Sequence, residues 1–228
     1  MSYFVTGTDT NVGKTLISCA LLHGFAAQGK KAVGMKPVAA GVGEDGMHED
    51  VRMMRAAGNV KASLEQVNPY CFAEAVAPHL AAQSKGVLID LERIVVSYAR
   101  LAAQADEVVV EGAGGFMVPL NAGQDSADLA TRLALPIILV AGVRLGCLNH
   151  ALLTVEAIAA RRLMLAGWVA NVLDENMPRQ AENIKALQQR IGAPLLGVVP
   201  YQQQPDSREV AGRLNLKFLS NSKSLEKI

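Results

Sequence analysis

A short apolar run, Tyr3–Thr6, leads directly into Gly7-Thr8-Asp9-Thr10-Asn11-Val12-Gly13-Lys14-Thr15 and then into an Ala/Leu-rich stretch ending before Gly29. A strand that turns through glycines into a helix opening on Gly-Lys-Thr builds an anion cradle. The free N–H groups of the first helical turn and the helix dipole face the same ligand. The usual phosphate loop reads G-x-x-x-x-G-K-[ST]. Here Thr8 stands at the first glycine position and Gly7 lies one residue earlier, so the loop is a variant with five residues between glycines. Gly13 permits close backbone approach, Lys14 reaches the β- and γ-phosphates, and the Thr15 hydroxyl is placed to ligate Mg2+. A bare Gly-Lys-Thr is weak evidence; between a strand and a helix it predicts nucleotide binding.

The rest of the chain alternates in the same way. Ala32–Met35, Val108–Val110, Ile137–Val140, Trp168–Ala170 and Leu195–Val199 are continuous Val/Ile/Leu-rich runs, as expected of strands buried on both faces of a parallel sheet. Helical stretches are expected over Thr15–Gln28, around Val51–Ala57, and over Leu91–Ala105, Asn149–Ala166 and Arg179–Ile191. This alternation predicts one α/β domain over residues 1–228, a three-layer α/β/α sandwich on a mostly parallel sheet, of the P-loop nucleotide-hydrolase type. From about residue 216 a frayed polar tail is expected.

Composition excludes other classes. Half the residues are hydrophobic and 19% are charged, which rules out a disordered chain. The 22 Lys+Arg against 21 Asp+Glu argue against a nucleic-acid partner. No apolar run reaches membrane-spanning length, and no signal peptide is recognised at the start, so no membrane partner is expected. Cys19, Cys71 and Cys147 are few and scattered, which fits a reducing cytoplasm.

Ligands in such sheets sit beyond the carboxyl ends of the strands. Val108-Val109-Val110 ends in Glu111, an acid where P-loop enzymes need one near Mg2+. Gly112-Ala113-Gly114-Gly115 gives the backbone room, and Met117 excludes a G-x-G-x-x-G dinucleotide fingerprint. Asp50 reads equally as a metal ligand and as the N-cap of the helix around Val51–Ala57. Lys36, at the end of its strand, suits an anionic substrate group or transition-state charge; the alternative is a solvated lysine. Asn149 reads as an N-cap, and its helix start could bind a carboxylate. Asn171 reads either as a base-contacting amide or as an Asx turn.

Taken together, Thr6–Thr15, Lys36-Pro37-Val38, Asn68-Pro69-Tyr70, Ala77-Pro78-His79, Val110–Gly115, Gly146–His150 and Gly167–Asn171 resemble the dethiobiotin synthetase family, from the N-terminus to about Pro200. The resemblance implies a cytoplasmic homodimer with its active site near the interface, acting on 7,8-diaminononanoate, CO2 and ATP with Mg2+. It implies a carbamate, then a carbamic–phosphoric anhydride, then ring closure with release of ADP and phosphate. By resemblance, Thr15, Asp50 and Glu111 bind Mg2+; Thr10, Lys14 and Lys36 are catalytic, with Thr10 and Lys36 on the carbamate and γ-phosphate. Asp9–Thr15, Asn171 and Pro200 contact the nucleotide, Asn171 at adenine, while Gly114 and Gly146-Cys147-Leu148-Asn149 join the substrate site, the latter receiving its carboxylate. Two positions depart from the family pattern: Asn11 replaces a frequent acid, and Ala40 a frequent serine after Lys-Pro-Val-Ala. The alternatives are a larger P-loop amide-forming synthetase, which usually carries a glutaminase domain that this chain is too short to include, and a partitioning-type nucleotide switch. Partitioning-type loops carry a signature lysine near their start, where this chain has Gly7-Thr8-Asp9.

Overall fold

The computed structural model describes residues 2–43 and 46–220. The elements run β1 (Tyr3–Gly7), α1 (Lys14–Ala27), β2 (Ala32–Met35), β3 (Val38–Ala40), α2 (Glu49–Ala57), α3 (Leu64–Val67), β4 (Tyr70–Phe72), α4 (Pro78–Ser84) and α5 (Leu91–Ala102). They continue β5 (Glu107–Glu111), α6 (Ser126–Leu133), β6 (Ile137–Val143), α7 (Cys147–Ala160), β7 (Leu165–Val172), α8 (Gln180–Arg190), β8 (Leu195–Val199), α9 (Ser207–Ala211) and α10 (Lys217–Ser220).

Six strands form one sheet in the order β2-β5-β1-β6-β7-β8, with every neighbouring pair parallel. The chain runs outward from β1 to β2, returns to β5, and then builds the other half through β6, β7 and β8. The direction reverses around β1, so the crevice lies beyond the carboxyl ends of β5, β1 and β6.

Every residue of β1, β5 and β6 is buried, which explains their uninterrupted apolar runs. Alternate side chains serve opposite faces. Phe4, Met35, Val108, Val110 and Ile137 pack under α5 and α6. Tyr3, Val5, Val109, Ile138 and Val140 pack under α1, α9 and α10. Leu139, Ala141, Trp168 and Ala170 continue the first face under α7 and α8. The expected three layers are present.

Two expectations need correction, and one element was not foreseen. The helix predicted over Asn149–Ala166 starts at Cys147 and stops at Ala160. Arg162 adopts φ 56 and Leu165 already pairs with Ile137, so the apolar Leu163–Ala166 segment belongs to a turn and the start of β7. Short buried runs do not reveal by periodicity whether they are helix or strand. Strands β3 and β4 form a separate two-stranded parallel sheet that no apolar run announces. Second, residues 216–219 are not a frayed tail: Leu216 and Leu219 are buried, and Tyr3 Oη donates to the Leu219 carbonyl at 2.9 Å. Residues 221–228 lie outside the described residues. Among the described residues, no helix is long and apolar enough to cross a membrane.

Helix α6 begins with a reciprocal cap. Asp125 accepts from the Asp128 N–H at 2.8 Å, and Asp128 accepts from the Asp125 N–H at 2.9 Å. Arg161, at the end of α7, binds both carboxylates. The Asp125 N–H and then Arg161 hold the Asp128 carboxyl below its ordinary value of 3.8. A carboxylate whose pKa is lowered by folding stabilises the fold above its unfolded pKa and loses that contribution as pH falls through the folded value. Asp128→Asn is therefore expected to cost about 1 kcal/mol at about pH 7. In urea melts that deficit should shrink at about pH 3; a deficit independent of pH would contradict it.

Candidate active site

The phosphate loop is fastened on both sides. The Thr8 N–H donates to the Val140 carbonyl at 3.0 Å, and Thr8 Oγ1 accepts from the Gly142 N–H at 3.2 Å. The threonine at the usual glycine position thus ties the loop to β6. A side chain at Gly7 would meet Val12 Cγ2 at 2.6 Å, so the glycine moves one residue earlier to let Val12 fold over the strand end. Asn11 has φ 58 and Gly13 φ 90. Asparagine is among the few side chains that tolerate this region, which gives Asn11 a conformational reason that needs no charge.

Asn171 clamps the loop from β7. Its Nδ2 donates to the Val12 carbonyl at 2.9 Å, and a Cβ on Gly13 would lie 2.2 Å from the same nitrogen. The Asx-turn alternative is thereby replaced, because β7 continues through Asn171 to Val172. Asp9 braces the other end. Its carboxylate accepts from the Thr10 N–H at 2.7 Å and pairs with Arg144 at 2.6 Å. Arg144 lies two residues before the Gly146–His150 motif, and nothing in its spacing from Asp9 signals the pair.

Four charged side chains and a hydroxyl converge where β1, β2 and β5 end. Lys14 is 6% exposed and donates to the Asp9 carbonyl at 2.9 Å. Burial, and then the neighbouring Lys36 charge, push it down to about 8. Lys36 is 5% exposed; its Nζ lies 2.5 Å from Glu111 Oε1 and 2.9 Å from Asp50 Oδ2. Burial works against the Lys36 charge, but the Glu111 and Asp50 carboxylates outweigh it and hold Lys36 above the ordinary lysine value. Burial likewise works against the Asp50 charge, and Lys36 overcomes it and keeps Asp50 below the usual carboxylate range. Thr15 Oγ1 donates to Glu111 Oε1 at 2.9 Å.

Asp50 is not the cap of α2. His48 is, its Nδ1 accepting from the Asp50 N–H at 3.1 Å, which leaves the Asp50 carboxylate in the first turn and turned to Lys36. Glu111 is fully buried, and among the described residues its Oε2 meets no hydrogen-bond partner. Such an atom needs a cation or a donor. Among the described residues, no cluster of three or more His, Cys, Asp or Glu side chains is placed to hold a metal. Thr15, Asp50 and Glu111 are hard oxygen donors of the kind Mg2+ accepts alongside waters and phosphate oxygens, so the residues present fit that ion.

These groups face a cleft of about 1190 Å³, lined also by Thr10, Asn11, Gly13, Ala40 and Gly114. Gly114 has φ 64, and a Cβ there would lie 3.5 Å from Thr10 Oγ1 across the cleft. Ala40 ends β3 and offers the cleft no hydroxyl. Asp9, Val12, Asn171, Pro200 and Gly146–Asn149 do not line it. Val12 is buried beneath the loop, and Pro200 is exposed just after β8. At the α7 start Gly146 and Asn149 are exposed while Cys147 is buried, and the helix is capped by Gly146 at φ 92, which corrects the expectation that Asn149 caps it.

A family profile described as an AAA domain matches residues 1–208. A protein of Nitrosospira multiformis, named ATP-dependent dethiobiotin synthetase BioD, is 53% identical over 220 residues, covering 96% of this chain and 97% of its own. One of the same name from Aromatoleum aromaticum is 54% identical over 218 residues, covering 94% and 97%. Among solved structures, the septum site-determining protein MinD from Pyrococcus horikoshii, complexed with Mg-ADP, overlaps with a TM-score of 0.56 at 17% identity, covering 99% of this chain and 92% of that one. That distant likeness supports the P-loop fold alone and carries no argument for a nucleotide switch. At about half identity over nearly full length, the chain belongs to the ATP-dependent dethiobiotin synthetase family.

Proposed function

We propose that this protein is an ATP-dependent cyclo-ligase that converts 7,8-diaminononanoate and CO2 into dethiobiotin. One amine adds to CO2 and loses a proton, giving a carbamate. A carbamate oxygen attacks the γ-phosphorus of ATP and ADP leaves. The second amine attacks the carbonyl carbon of the resulting anhydride, phosphate departs, and the ureido ring closes with loss of a proton.

The observation that carries this reading is Lys36, a buried ammonium held at the mouth of the phosphate loop by Glu111 and Asp50. A nucleotide hydrolase needs a positioned water; a second cation facing the loop suits an anionic nucleophile instead. In this reading the loop N–H groups and Lys14 take the β- and γ-phosphates. Lys36 and Thr10 hold the carbamate oxygens against the γ-phosphate. Gly114 lets the substrate backbone lie close to Thr10. Thr15, Asp50 and Glu111 would hold Mg2+, which when bound neutralises phosphate charge. Asn171, with its amide nitrogen committed to Val12, offers its carboxamide oxygen to the adenine amine, and Pro200 borders the same base.

The Gly146–Asn149 helix start, with Gly146 and Asn149 exposed, is assigned to the substrate carboxylate of a second copy, because it stands outside its own chain's cleft. Leu145 beside it is 91% exposed, an apolar group that a homodimer contact would cover. ATP use and three unpaired cysteines go with a cytoplasmic location.

Incubation with 7,8-diaminononanoate, bicarbonate and MgATP, followed by mass spectrometry, tests the reading. The expected product gains one carbonyl and loses two hydrogens, with one ADP formed per ring. ADP release with no ring product would overturn it.

A further inference from the structure

The Asn68-Pro69-Tyr70 segment has no part in the chemistry above, yet it meets the backbone of Lys36. The pairing of β2 with β5 ends at Met35, and that of β3 with β4 begins at Val38. Lys36 therefore sits between two sheets and belongs to neither ladder. Its N–H donates to the Val67 carbonyl at 2.8 Å, and its carbonyl accepts from Asn68 Nδ2 at 2.6 Å. The other Nδ2 bond goes to the Tyr70 carbonyl at 3.0 Å. Asn68 is 6% exposed, so these bonds form away from water. Next in the chain, the Tyr70 N–H donates to the Pro37 carbonyl at 3.1 Å. One carboxamide thus joins the end of α3 to the two points where the chain enters the small sheet.

We propose that Asn68 is a positioning residue that sets where Lys36 presents its ammonium in the cleft. Only a primary amide of this length can donate to both carbonyls at once. Aspartate is an acceptor only and would set a carboxylate against them; alanine would remove the donor from the buried Lys36 carbonyl and one of the donors to the Tyr70 carbonyl, which also accepts in the β3–β4 ladder. A displacement of about 1 Å at a group that orients a reacting oxygen lowers turnover by up to about 10²-fold. Nothing in the resemblance assigns this segment a role, and the inference rests on Lys36 meeting the γ-phosphate as proposed above.

The test compares affinities of the full-length protein for a non-hydrolysable ATP analogue, adenylyl imidodiphosphate, and for ADP, with no other substrate. Their ratio reports contact with the γ-phosphate. Asn68→Ala is expected to lower that ratio at least about tenfold, with ADP affinity and the circular dichroism spectrum unchanged, and to lower ring formation in parallel. In a Lys36→Ala background the same change should leave the ratio unaltered, because the group it positions is gone. A merely structural role would instead reduce ADP affinity or give the same loss in both backgrounds, and either result overturns the proposal. If Asn68→Ala does not fold, Asn68→Ser, which keeps one donor, should give a smaller loss in the same direction; an unchanged ratio there also overturns it. Should Lys36→Ala itself leave the ratio unchanged, the assignment of Lys36 to the γ-phosphate fails and the Asn68 proposal falls with it. Should Lys36→Ala lower the ratio while Asn68→Ala does not, only the Asn68 proposal falls.

Discussion

Lys36→Ala is expected to lower ring formation by about 10³-fold, the scale of a lost group that meets charge developing in the transition state. ADP affinity should stay nearly unchanged, because in the proposed reading the diphosphate is served by the loop N–H groups and Lys14. The same substitution should destabilise the protein in the absence of ligand. Glu111 is fully buried and Lys36 is its counter-charge at 2.5 Å, so removing the ammonium strands a carboxylate. Breaking a buried pair of this kind costs about 3 kcal/mol, discounted here because Asp50, the other partner, is 27% exposed. Added Mg2+ with nucleotide should restore much of the lost melting temperature. Product formation within a fewfold of the parent would remove Lys36 from the chemistry.

Glu111→Gln keeps the shape of the side chain and its bond from Thr15 but removes the charge. Its amide presents one carbonyl and a nitrogen that repels a cation. Affinity for Mn2+ as a stand-in for Mg2+, read by electron paramagnetic resonance with ADP present, should fall by about 10–100-fold. Turnover at low Mg2+ should fall with it and partly recover as Mg2+ is raised, while metal-free ADP binding stays close to the parent. Matching Mg2+ titrations of the two proteins would contradict the assignment of Glu111, and with it the fit of Thr15 and Asp50.

Much of this site was legible in the sequence because its parts are local. The phosphate loop lies between a strand and a helix, and Glu111 ends three valines that have to be buried. Strands of the central sheet were legible for the same reason: packed on both faces, they are written as unbroken apolar runs. The small β3–β4 sheet was not, since each strand has three residues and no run to mark it. Asp50 was ambiguous because a helix start suits an acid both as a cap and as a first-turn residue. Only the fold shows His48 taking the cap and releasing Asp50 toward Lys36. The pairs that hold the loop in place, Thr8 with Gly142, Asn171 with Val12 and Asp9 with Arg144, each join residues more than a hundred positions apart. No local pattern encodes such pairs. They arise from parallel crossovers that bring β1, β6 and β7 side by side.

The most direct test of the central claim follows oxygen. If a carbamate oxygen, directed by Lys36 and Thr10, attacks the γ-phosphate, then that oxygen leaves with the phosphate when the ring closes. Turnover with freshly dissolved C18O2 in ordinary water, run faster than oxygen exchange with solvent, should therefore yield inorganic phosphate carrying one 18O atom and a ring carbonyl carrying the other. Phosphate that takes its new oxygen from water instead, in step with ADP release, would mean that the cleft hydrolyses ATP and that no carbamate stands before the γ-phosphate.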